Sequence, residues 1–163
     1  MTMAPAALRA SLLGQINTLR KIAGVTFVKP HGALYNDAHH DPTLSRVIIE
    51  SIRDVDPSLA IVCAAASQMA AAARAEGTPV IREAFADRRY NADGSLVSRK
   101  EAGSLLSVEE AAEQAAMLAS EGTVVARDGS RIEVTFDTIC IHADMEHAVE
   151  RARAIRRRLG ELP

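Results

Sequence analysis

Residues able to do acid–base and anion chemistry cluster in a few short segments of this 163-residue chain. Lys29-Pro-His31 sets an ammonium and an imidazole two positions apart beside a rigid proline, and Gly32 lets the backbone turn closely past a ligand. Glu83, Asp87, Arg88 and Tyr90 follow one another closely further on, and His142 and Asp144 stand near the end. Imidazoles titrate near neutrality and shuttle protons. Carboxylates serve as bases, and Lys and Arg stabilise developing negative charge. Each segment also has a purely structural reading. Lys29 could sit in a salt bridge, Glu83 and Asp87 could pair with Arg82, Arg88 or Arg89, and Asp144 could cap the last helix.

The elements around these residues are predicted to bring them together. Leu8, Leu12, Ile16 and Leu19 recur at helical spacing, with Pro5 in the first turn and Gly24 beyond the end. Residues 25–28 are short and β-branched and read as a strand, and 29–36 as a loop. Asp41-Pro42 opens a helix with Leu44, Val47, Ile48 and Ile52 inward. Residues 59–63 form a second strand, and Ser67 caps an Ala-rich helix that stops at Gly77. Residues 79–85 form a third strand. Residues 86–106 lack a helical period and hold an Asp93-Gly94 turn signal. A loop of that length in a compact domain is often functional. Ser107 and Glu110 make a capping box for a helix through Ala119. Residues 123–126 and 131–135 flank Asp128-Gly129 as a hairpin, 137–141 form the last strand, and 145–159 a final helix.

Strands separated by helices predict an α/β fold with parallel pairing and right-handed crossovers. Ligands of such folds sit at the carboxyl ends of the strands. Lys29 and His31 follow the first predicted strand and Ser67 the second, Glu83, Asp87, Arg88 and Tyr90 surround the end of the third, and His142 and Asp144 follow the last, so they are expected to share one mouth. Four core strands are too few for an eight-stranded barrel, and the chain opens on a helix with no strand before it.

Composition excludes several classes. Nineteen basic and 21 acidic residues leave a net charge of −2, without the basic excess that nucleic acid or an anionic membrane would attract. No run of eighteen apolar residues spans a bilayer, and Arg9 interrupts the apolar start, which argues against a signal peptide. Cys63 and Cys140 lie in apolar runs without CxxC spacing, so a reduced, cytoplasmic setting is expected. His39-His40-Asp41 is weak as a metal cluster, because Asp41 is better used as a cap, and no metal site is predicted. The arginines at 151, 153, 156, 157 and 158 read as a solvated helix face. No phosphate-cradling glycine motif is present.

Four motifs in order carry a family resemblance: Val28-Lys-Pro-His-Gly-Ala-Leu-Tyr-Asn36, residues 82–90, residues 94–99, and Ile139-Cys-Ile-His-Ala-Asp144. Together they resemble the LamB/YcsF family, over essentially the whole chain from Leu8 to Leu159. Ala143 stands where the family's His-Gly-Asp string has glycine. The resemblance implies a parallel-stranded partial (β/α) barrel of the polysaccharide-deacetylase-like kind, with the hairpin as an insertion. Residues 1–163 are then one domain, matching the C-terminal two-thirds of family members and therefore expected to be N-terminally truncated.

The activity implied is ATP-dependent hydrolytic opening of 5-oxo-L-proline to L-glutamate, with 5-oxoprolinase subunits B and C as partners. ATP with Mg is expected to bind in the complex and not to this chain alone. On that reading Glu83 or Asp87 is the base, and His31 and His142 shuttle protons, with Asp144 beside them. Lys29, Tyr35, Arg88, Tyr90 and Arg99 hold substrate or phosphate. Two alternatives stay open. One is a metal-dependent amide or N-acetyl hydrolase using His31, His142 and Asp144. The other is an inactive truncated binding component whose exposed first strand pairs with a second copy as a homo-oligomer.

Overall fold

The structure, a computed structural model, describes residues 3–162. In chain order the elements are α1 (Pro5–Arg20), β1 (Phe27–Val28), α2 (Ala33–His40), α3 (Pro42–Val55), β2 (Ala60–Ala64), α4 (Gln68–Ala75) and β3 (Val80–Phe85). There follow α5 (Val108–Glu121), β4 (Thr123–Val125), β5 (Arg131–Glu133), β6 (Thr138–Cys140) and α6 (Ala148–Gly160). Four strands form one sheet in the order β1-β2-β3-β6, and β4 and β5 form the antiparallel hairpin. The α/β class, the parallel pairing and the hairpin are thus as the sequence predicts. No helix among the described residues is long and apolar enough to cross a membrane.

The chain divides into two compact units, Met1–Arg82 and Glu83–Pro163. In the first, β1 and β2 run parallel in the register Phe27↔Ala60 and Val28↔Ile61. Helix α3 is the centre of this unit, packing on both α1 and α4. Its Ile48, Ile49 and Ile52 are fully buried, together with Leu8 and Ile16 of α1 and Met69, Ala70 and Ala73 of α4. The buried face of α3 also takes in Ser45 and Ser51, whose hydroxyls donate to the carbonyls of Ala38 (2.7 Å) and Val47 (2.6 Å). On α1, Leu19 is exposed, because only the Leu8 to Ile16 stretch of that face packs inward.

Helix starts follow the local chemistry. Asp41 accepts hydrogen bonds from Thr43 N–H (2.9 Å) and Leu44 N–H (3.0 Å), while Pro42 occupies the first turn, where no donor is missed. Ser67 caps α4 by accepting from Ala70 N–H at 3.1 Å. Asp41→Ala is expected to cost the fold about 1 kcal/mol, read as a lower denaturation midpoint with an unchanged slope.

One stretch differs from the sequence-based expectation. Residues 33–36, expected as part of a loop over 29–36, instead begin α2, which runs on to His40. Only Tyr35 and Ala38 of this helix are buried, so no apolar stripe advertises it. Gly32 makes the turn into the helix possible, because its φ of 61° is one that a side chain would strain.

In the second unit the end of β3 runs parallel to β6, in the register Glu83↔Thr138, Ala84↔Ile139 and Phe85↔Cys140. Helices α5 and α6 pack on each other through small side chains. Ala111, Ala112 and Ala115 of α5 meet Ala154 and Ile155 of α6, with Ala86 and Leu106 completing the cluster. The capping box is present, with Glu110 N–H donating to the Ser107 hydroxyl and Ser107 N–H to the Glu110 carboxylate. Residues 86–106 fold on themselves through bridges joining Arg88 to Leu105 and Tyr90 to Leu96, with the Asp93-Gly94 turn at the tip.

The arginines of α6 do not all face solvent. Arg151 is buried, donating to the carbonyls of Glu146 and Leu106, and Arg158 pairs with Glu113 of α5. The reason is that α6 packs on α5 along the face that carries them.

Candidate functional site

Strand register creates the central contact. Phe85 and Cys140 are opposite one another, so the residues two beyond each, Asp87 and His142, leave adjacent parallel strands side by side. Ala86 N–H donates to the Cys140 carbonyl at 3.1 Å and extends the pairing one step toward them. The Asp87 carboxylate then accepts two donors from the same residue. His142 backbone N–H lies 2.6 Å from Oδ2, and His142 Nδ1 lies 3.0 Å from Oδ1 and 3.1 Å from Oδ2.

Asp87 is fully buried, whereas the His142 side chain keeps 21% of its exposure. Burial pushes the Asp87 carboxyl up. The ring and backbone hydrogen bonds from His142, with its positive field when protonated, outweigh that and hold it below the usual carboxylate range. An ionised Asp87 accepts only, so Nδ1 carries the proton it shares, and in the neutral form of the ring Nε2 keeps its lone pair. The Phe85 ring stacks on the imidazole, with centroids 5.6 Å apart and planes 14° off parallel. The imidazole is thus held along one edge by a carboxylate and across one face by an aromatic ring.

Cationic groups lie in the same unit. The Arg88 side chain is buried and donates from Nη2 to the Val97 carbonyl at 2.6 Å. Burial, then the neighbouring Arg99 charge, push its guanidinium pKa down. Arg99 pairs with the exposed Asp144 carboxylate at 3.0 Å, and that hydrogen bond with the charge beside it keeps Asp144 below its ordinary value. Asp144 is therefore not the cap of α6. His147 takes that position in the left-handed region (φ 58°), because a turn separates β6 from the helix and shifts its start to Ala148.

The remaining predicted residues fall as follows. Glu83 is buried in β3 opposite Thr138. Tyr90 is buried as well. Its hydroxyl accepts from Phe85 N–H at 2.7 Å, and burial raises its pKa. In the first unit, Lys29 and His31 lie just past β1, His31 exposed and Lys29 exposed too, and Tyr35 is buried on α2. The Lys29 ammonium lies 5.8 Å from the Tyr35 ring centroid. Among the described residues, no three His, Cys, Asp or Glu side chains are arranged to hold a metal ion.

Two contributors were not singled out by sequence patterns, Phe85 and Gln114. Gln114 lies on the buried face of α5, among Ala111, Ala112, Ala115, Ala116 and Leu118. A lone amide on an apolar stripe is the signal that could have found it, since buried polar groups need partners. It has them: Nε2 donates to the carbonyls of Phe85 and Arg88 at 2.8 Å, with that of Ala86 at 3.3 Å.

Comparison with known proteins agrees with this arrangement of elements. A curated protein of Natranaerobius thermophilus, named as the A subunit of 5-oxoprolinase, is 45% identical over 92% of this chain and 61% of its own length. The protein of that name from Paracidovorax citrulli is also 45% identical, over 96% of this chain and 64% of its own. The chain therefore spans about three-fifths of the length of these relatives. The crystal structure of a lactam utilization protein from Thermus thermophilus superposes with a TM-score of 0.88 at 36% identity, covering 99% of this chain and 66% of that one. The LamB/YcsF family profile matches residues 1–162. On this match, the chain belongs to the LamB/YcsF family.

Proposed function

We propose that this chain does the work of the A subunit in an ATP-dependent 5-oxoprolinase, opening the lactam of 5-oxo-L-proline to L-glutamate together with subunits B and C. The observation that carries this reading is the Asp87–His142 pair. A buried carboxylate fixes an imidazole with Nε2 free to take a proton, which the hydrolysis of an activated amide requires. The names of the relatives point to the same chemistry.

A lactam is a stable amide, so its carbonyl must be activated, and ATP supplies a phosphoryl group to the lactam oxygen. Water then adds to the activated carbon as His142 Nε2 takes its proton. The carbon–nitrogen bond breaks as the ring nitrogen is protonated, with His31 as the second proton shuttle. The resulting γ-carboxyl phosphate reacts with a second water to give glutamate and phosphate. Asp87 orients His142 and stabilises its imidazolium form. Arg88, Arg99 and Lys29 are the candidates to neutralise phosphoryl charge. ATP with Mg is assigned to the assembled complex, the setting to the cytoplasm, and the fold to a single-domain, partial (β/α) barrel.

The test is turnover of 5-oxoproline by this chain with subunits B and C, each added and omitted. Glutamate and ADP are expected in equal amounts, with all three proteins required. Hydrolysis that ignores ATP and stops on chelation would favour a metal-dependent amidase instead. His31→Ala with full glutamate production would remove His31 from the mechanism.

A further inference from the structure

Gln114 does more than fill the interface of α5. Its amide carries two hydrogens, and the two shortest contacts go to the carbonyls of Phe85 and Arg88, the residues that bracket Ala86 and Asp87. The same segment is held at two further points. Phe85 N–H donates to the Tyr90 hydroxyl (2.7 Å), and Leu106 N–H donates to the Asp87 carbonyl (3.1 Å). With the backbone on both sides of Asp87 fixed, its carboxylate faces His142, and the Phe85 ring is set against the imidazole. Gln114 is 7% exposed and its amide is taken up by backbone carbonyls.

We propose that Gln114 is a positioning residue for the reaction: it holds residues 85–88 so that Asp87 fixes the Nδ1–H tautomer of His142. Its catalytic meaning rests on the 5-oxoprolinase reading, but its effect on His142 is measurable without substrate. Outer partners that orient metal-bound histidines change activity by about 10- to 100-fold when removed, and an effect of that order is expected here by analogy.

The experiment uses the full chain and two near-isosteric variants. Gln114→Met removes both donors at similar length, and Gln114→Glu places an acceptor-only carboxylate against carbonyls at neutral pH. For folded Gln114→Met, the downfield His142 Nδ1–H proton resonance is expected to broaden or vanish. In the assay with all three proteins, kcat should fall about 10- to 100-fold with KM little changed. Gln114→Glu should lose the resonance at neutral pH and partly regain it on acidification, when its carboxyl can donate once. A folded Gln114→Met with the native resonance and the native pH profile would overturn the proposal. If neither variant folds, side-chain amide exchange in the native chain decides. Strong protection of both Gln114 hydrogens is expected, and exchange at surface rates would overturn it. Failure of the native chain to make glutamate would sink the 5-oxoprolinase reading, while the His142 resonance would still decide the role of Gln114 independently.

Discussion

Asp87→Asn is expected to lower kcat by about 10²- to 10⁴-fold in the reconstituted enzyme, with the fold retained at neutral pH. The amide has the shape of the carboxylate but only one acceptor oxygen. If that oxygen keeps the His142 backbone N–H, now 2.6 Å from Oδ2, the amide NH₂ faces Nδ1. Nδ1 must then give up its proton, which moves to Nε2 and removes the lone pair that accepts the proton of water.

The same substitution predicts a change in acid stability. Because the folded-state pKa of Asp87 lies below its unfolded value, ionised Asp87 contributes stability at neutral pH. That contribution is fully present above the ordinary carboxylate value near 3.9 and is lost as pH falls through the lower folded value. An amide at this position has no such loss. The variant should therefore be less stable at pH 7, by about 1.5–3 kcal/mol for charge-assisted hydrogen bonds, and lose less on acidification. Denaturation midpoints of both proteins from pH 7 down to 3 measure this. Parallel curves would mean that the carboxylate is not ionised against His142.

His142→Ala is expected to reduce kcat by about 10²- to 10⁴-fold as well, through loss of the base itself. It should also strip Asp87 of its ring donor and leave it backbone donors alone, raising the carboxyl toward its ordinary value. The informative comparison is the double variant. Residues that act as one unit are non-additive, so Asp87→Asn with His142→Ala should cost little more than His142→Ala alone. If the two losses multiply, the residues act in separate steps, and the role of Asp87 in orienting His142 is wrong.

What could be read from sequence is what local chemistry dictates. Asp41, Ser67 and the Ser107/Glu110 box mark their helix starts, and Asp128-Gly129 marks the hairpin, because each acts on backbone groups within a few residues. Helix α2 was not readable, since two buried residues in eight give no period and its end is held by tertiary bonds such as that from Ser45 to Ala38. Asp87 and His142 could each be placed after a strand. Their contact across 55 positions depends on β3 and β6 being neighbours in one register, which strand patterns alone do not specify. Asp144 shows the converse. A capping residue type stood in a plausible place, but a turn intervened and Arg99 claimed the carboxylate.

The most direct test of the Asp87–His142 pairing is ¹⁵N NMR of the His142 ring in the native chain at neutral pH. A single neutral tautomer is expected, protonated at Nδ1 and unprotonated at Nε2, and it should disappear in Asp87→Asn. A ring protonated at Nε2 in the native chain, or one unchanged by Asp87→Asn, would contradict the proposed role of the pair.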